Sequence, residues 1–207
     1  MKTTILRRAA LAGVALSALL ATAACGGDDT GGMTHGTGSS SAAGASPSAG
    51  ATFNDADVMF AQMMIPHHQQ AVTMADLAPT RASDTELKDL AARIKAAQDP
   101  EITTMKGWLT AWGKPTDLPS DHSMPGMTSG MPGMMSEQQM KNLAAANGAA
   151  FDKMFAELMI AHHNGAIDMA KAEQADGSNP EAKALAARIA SDQATEVQTL
   201  RKILDRL

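Results

Sequence analysis

Hydrophobic residues fall on a helical period twice along the chain, ninety-five positions apart. Phe60, Met64, His67, Ala71 and Met74 are spaced 4, 3, 4 and 3 residues apart, and Phe155, Met159, His162, Ala166 and Met169 repeat the spacing. This puts each set on one face of an α-helix. His67 and His162 therefore point inward, and His68 and His163 sit about 100° round, at the edge of the seam. A second rhythm runs through Ile94, Gln98, Glu101, Met105, Trp108 and Trp112, and again through Ile189, Gln193, Glu196, Leu200, Ile203 and Leu207. It predicts Gln98, Glu101, Gln193 and Glu196 on an interior seam.

Start signals frame these helices. The first is expected from Asn54 to Leu77 and the second from Thr85 to Trp112. Ser83-x-x-Glu86 and Ser178-x-x-Glu181 read as capping boxes at the second helix of each copy, and Ser136-x-x-Gln139 as one opening a short helix before Asn147-Gly148. Pro66 predicts a kink before His67, with the Gln62 carbonyl left free. Ala161 takes its place in the second copy, so the kink is no part of the shared design.

Asp57–Trp112 aligns without a gap on Asp152–Leu207, with 23 identities in 56 positions. A period this long excludes a solenoid, and two copies imply a pseudo-two-fold pair. Each copy is a helical hairpin too thin to bury its own stripe. The expected fold is all-α, a four-helix bundle from two tandem hairpins, 53–112 and 136–207. The link 113–135 carries four prolines and is expected to be non-helical.

The N-terminal quarter has another character. Residues 1–24 combine the basic "MKTTILRR" with a short apolar run and small residues, the pattern of a secretory signal. Cys25 is the only cysteine, which excludes a disulfide and a cysteine metal site. Its setting after Ala23 and Ala24 resembles a bacterial lipobox, with Thr22 where leucine is usual. The expectation is lipidation of Cys25 and anchoring to the outer face of a membrane; simple cleavage with a free thiol is the alternative. Residues 25–52 are Gly/Ser/Thr/Ala-rich and read as a flexible tether. All 22 acidic residues follow Cys25 but only 14 of the 17 basic ones do, leaving −8 on that portion. Such a balance argues against nucleic acid and favours cations.

A buried carboxylate needs a partner. For Glu101 and Glu196 this is an imidazolium, a hydrogen-bonded neutral histidine or a metal ion. At this point a structural His/Glu network and a metal site both stand. The link adds soft donors: His122, Met124, Met127, Met131, Met134 and Met135 lie where Gly and Pro forbid a helix, so packing does not explain the thioethers. Thioether sulfur selects Cu(I) over hard cations; scavenging of oxidants is a rival role.

"MMIPHHQQAVTMA", "QDPEITTMKGWL" and "FDKMFAELMIAHHNGAIDMA" resemble the domain of unknown function 305 family over roughly 53–207. The resemblance implies a secreted, ferritin-like four-helix bundle, and for some members copper binding through Met and His. Its motif positions fall on Met64, His67, His68, Met74, Gln98, Glu101 and Met105, then on Met159, His162, His163, Met169, Gln193 and Glu196. Leu200 departs from the pattern where the first copy has Met105. The leading expectation is an extracytoplasmic lipoprotein that binds copper, Cu(I) in preference, for buffering, sequestration or tolerance. Two alternatives are kept. One is a ferritin-like metal-dependent oxidase, disfavoured because Thr104 and Thr199, not His, follow Glu101 and Glu196 by three residues. The other is a non-catalytic interaction module with structural His/Glu pairs.

Overall fold

The computed structural model describes residues 52–116 and 131–207. The signal segment, the tether, Cys25, His122, Met124 and Met127 lie outside the described residues. Four long helices form two hairpins: α1 (Asp55–Ala75) pairs with α3 (Thr85–Ala111), and α5 (Gly148–Asp176) with α6 (Pro180–Leu204). A single turn, α2 (Ala78–Arg81), joins the first pair, and α4 (Glu137–Ala145) precedes the second. Across the hairpins α1 lies on α5 and α3 on α6, completing a ferritin-like four-helix bundle. No strand occurs among the described residues, and no helix there is long and apolar enough to cross a membrane.

Local chemistry sets the helix ends. Asn54 caps α1 through a capping box with Asp57, and Ser136 caps α4 with Gln139. Ser83 and Ser178, expected as caps, are not. Asp84 and Asn179, one residue further on, accept from the first-turn N–H groups of α3 and α6. The serines serve a contact between hairpins. The amides of Ser83 and Asp84 donate to the Asp152 carboxylate at 3.0–3.2 Å, and the Ser83 hydroxyl donates to it as well. Ser178 and Asn179 donate to Asp57 at 2.9–3.2 Å. Asp57 and Asp152 are repeat equivalents, so each hairpin holds the turn of the other through a buried aspartate. α1 continues as a helix through Pro66, and α3 through Pro100.

The core divides into two apolar clusters. One gathers the N-terminal half of α5 and the C-terminal half of α1 around Phe151, Phe155, Met74 and Leu143. The other gathers the opposite halves around Phe60, Met64, Leu109 and Ile189. Between them, at mid-height, the four helices contribute buried His67, His68, Gln98, His162, His163 and Gln193. The interior seam of α3 runs Ile94, Gln98, Ile102, Met105, Leu109, not through Glu101 and Trp108. A 3.6-residue period admits either a three- or a four-residue step, and the step that buries isoleucine in place of glutamate wins. Val197 displaces Glu196 from the seam of α6 in the same way. Trp108 and Trp112 are half-buried, and Leu207 is exposed.

Candidate metal centre

Helical spacing delivers the four histidines to one layer, and the second hairpin duplicates the first. His67 and His162 face each other with ring centroids 3.7 Å apart and planes tilted by 38°. His68 Nε2 lies 2.8 Å from Glu101 Oε2, and His163 Nε2 lies 2.7 Å from Glu196 Oε2. These carboxylates are at the rim, their side chains 19% and 18% exposed, and they reach inward to the imidazoles. His68 and His163, expected at the edge of the seam, are as fully buried as His67 and His162, and it is they that hold the carboxylates.

Residues 131–135 return across this layer. The Pro132 carbonyl lies 3.0 Å from His67 Nε2. A carbonyl oxygen only accepts, so His67 Nε2 carries the proton and Nδ1 the lone pair. The Gln70 side chain grips Met135 at both backbone groups, accepting from its N–H at 2.7 Å and donating to its carbonyl at 2.9 Å. At the repeat-equivalent position α5 has Gly165, where a Cβ would sit 2.1 Å from the Pro132 oxygen. Gly133 has φ +78°, and a Cβ there would meet the Ala161 carbonyl oxygen at 2.7 Å. Glycine is required at both places, at Gly165 for close approach and at Gly133 also for its left-handed backbone. No periodicity signals this strap, although the break of the repeat at Gln70 and Gly165 was visible.

Burial sets the protonation of the central pair. Burial first, and the His68 ring second, hold His67 down at about 3. Burial first, and His67 second, hold His162 at about 2. Both imidazoles are neutral at ordinary pH, which is the form that binds metals. The layer is also short of partners. Among the described residues, His67, His68 and His163 have a bare Nδ1, His162 has two bare ring nitrogens, and Gln98 and Gln193 contribute three more bare atoms. Each such atom costs about 1–3 kcal/mol when left unpaired.

The remaining candidate residues divide by height. Met64 and Met159 are buried and lie one turn from the histidines of their own helices, and buried Met105 lies one turn from Glu101. Met74 and Met169 lie seven residues beyond His67 and His162, about 10 Å along the axis, so they are not in this layer. Met74 is fully buried and Met169 half-buried. Of the link, Met131 and Met134 are half-buried and Met135 is 8% exposed within the first apolar cluster, so Met135 is a packed residue and not a free thioether. Among the described residues no three His, Asp or Glu side chains converge as a ready cage. Bare, neutral imidazole nitrogens are donors of the kind that copper takes.

The family model of DUF305, "Domain of unknown function (DUF305)", matches residues 57–204. Among solved structures, a Streptomyces coelicolor protein described as a secreted DUF305 protein is 34% identical with a TM-score of 0.68, the match covering 73% of this chain and 93% of that one. A DUF305 fragment from Deinococcus radiodurans is 30% identical, TM-score 0.66, covering 74% and 98%. CopM in its Cu(I)-bound form is 32% identical, TM-score 0.62, covering 72% and 96%; CopM is also solved in Cu(II)-bound and Ag-bound forms. No curated protein matches the chain. The duplicated His-His helices, the all-helical fold and a family match across both hairpins lead to one assignment: the chain belongs to the DUF305 family.

Proposed function

We propose that this protein binds copper outside the cytoplasm, Cu(I) in preference, and buffers or sequesters it. The observation that carries the proposal is the mid-height layer, where five bare imidazole nitrogens are buried together with no protein partner. Neutral imidazole and buried thioether are the donor pair that suits Cu(I). The similarity to CopM, solved with Cu(I), Cu(II) and Ag, supports the same metal class. In this account His67, His68, His162 and His163 supply nitrogen and Met64, Met105 and Met159 supply sulfur. Glu101 and Glu196 orient His68 and His163 from behind, as carboxylates do for metal-bound imidazoles. Met74 packs in the first apolar cluster, Met169 serves outside that layer, and His122, Met124, Met127, Met131 and Met134 of the link capture ions. Lipidation of Cys25 holds the chain at the membrane surface, and the secreted description of the Streptomyces relative supports an extracytoplasmic place.

The test is competition for Cu(I) against a chromogenic chelator. The expected result is that His67→Ala combined with His162→Ala lowers the number of ions held. Mg(II) and Ca(II), hard cations that prefer oxygen donors, are expected not to compete. Unchanged stoichiometry in the double variant would remove the mid-height layer from the account and leave the link alone.

A further inference from the structure

A second cluster of thioethers opens on the surface of the bundle: Met63 lies one turn before His67, and Met59 and Met169 lie about 10 Å or more along their helices from the histidines. Met59 and Met63 of α1 and Met169 of α5 line one surface cavity of about 210 Å³, with Ala56, Ala172 and Glu173. Met59 and Met63 are one turn apart on the same face. Met59 is 40% exposed, and Met63 and Met169 are half-buried. A core-filling methionine closes space; these three border space that stays open. Glu173 is 2% exposed, and burial first, then the Asp57 carboxyl group beside it, keep it protonated and uncharged.

The internal repeat provides a control within the same molecule. At the pseudo-symmetric place Phe151 stands for Ala56 and Leu77 for Ala172, so two bulky groups occupy what is open here. Leu158 stands for Met63, Ala78 for Glu173 and Arg81 for Asp176, while Met154 and Met74 match Met59 and Met169. Phe151 and Met74 are fully buried there, in a closed apolar cluster against which Met154 and Leu158 pack. Relative to its twin, the Met59 cavity has gained volume, a third thioether and the Asp176 carboxylate, and has lost a cation. All these differences favour a soft cation and none favours packing.

We propose that Met59, Met63 and Met169 form a second soft-metal site, taking Cu(I) or Ag(I) through thioether sulfur at the edge of the bundle. Asp176, which lines the cavity, supplies negative charge beside it. Unbranched thioethers adjust by rotamer to converge on an ion, and the half-open cavity gives direct access from solvent. The identity of the metal rests on the copper reading above; the place of the site does not.

The experiment is Ag(I) titration of the full chain labelled with [13C-methyl]methionine, followed by NMR. The methyl signals of Met59, Met63 and Met169 are expected to shift together along one saturable binding curve. Met63→Leu with Ala172→Leu installs the residues of the twin, and should weaken this step at least tenfold with the melting temperature and the Met64 and Met159 signals unchanged. If Met64 and Met159 respond while these three do not, the second site is overturned and the copper reading stands. If no methionine methyl moves, both fall.

Discussion

His67 and His162 are fully buried and neutral, and that state has a cost in acid. An unfolded chain protonates each ring near its ordinary value of 6.5, whereas burial first holds the folded values at about 3 and about 2. Below pH 6.5 the unfolded state therefore binds more protons, and stability falls by about 1.4 kcal/mol per ring per pH unit. Glu173 acts with the opposite sign. Burial first, then the neighbouring Asp57 carboxylate, push it up to about 8, so it stays protonated in the fold where the unfolded chain ionises. Its contribution to stability is lost as pH rises from its ordinary 4.5 toward 8. For the metal-free protein the two slopes predict a maximum of urea stability near pH 6.5. Glu173→Gln should remove the decline above that pH, and His67→Gln with His162→Gln should flatten the acid limb. An acid limb unchanged in the double variant would show that these rings do not control it.

The helices are held in register by chemistry at their ends as much as by their seams. Asp152 of α5 receives both amides of the turn before α3, and Asp57 of α1 does the same for α6. Asp152→Ala leaves two amides of that turn without their acceptor, and the loss of charge-assisted bonds predicts about 3 kcal/mol of destabilisation. Urea denaturation measures it; a loss below half a kcal/mol, ~0.5 being the ordinary surface value, would mean that solvent replaces the carboxylate. This contact also marks how far the sequence could be read. The hairpins and their repeat were legible because Phe60, Met64, His67, Ala71 and Met74 follow a period that a single helix imposes. The identity of Asp57 with Asp152, and of Ser83 with Ser178, was equally visible, but which hairpin they bridge is a property of the packed pair. Glu101 was misplaced for a related reason: a three-residue and a four-residue step both suit one helix, and only the facing helices choose Ile102. The strap was hidden altogether, because the fit of Gly165 against Pro132 involves backbone that carries no hydrophobic pattern.

Seen whole, the molecule has two apolar cores separated by a polar layer, and the polar layer is incomplete. An apolar core with a polar layer lacking partners is less stable than either a continuous apolar core or a satisfied network. An ion that binds this layer in the folded state, and finds no such cluster in the unfolded chain, draws the equilibrium toward the fold. At free metal one hundred times the dissociation constant that linkage amounts to about 2.7 kcal/mol. For a bundle of this size each kcal/mol moves the melting temperature by about 2–4 °C, so Ag(I) or Cu(I) should raise it by roughly 5–10 °C. The same addition to His67→Ala with His162→Ala should give a clearly smaller rise, even if that variant starts from a lower melting temperature, because only the difference between loaded and metal-free protein reports the site. Loss of just the Met59 cavity, through Met63→Leu and Ala172→Leu, should leave most of the rise intact. Coincident melting curves for wild-type protein with and without metal would mean that the layer is completed by water or by relaxation of its own side chains, and that the bundle is structural.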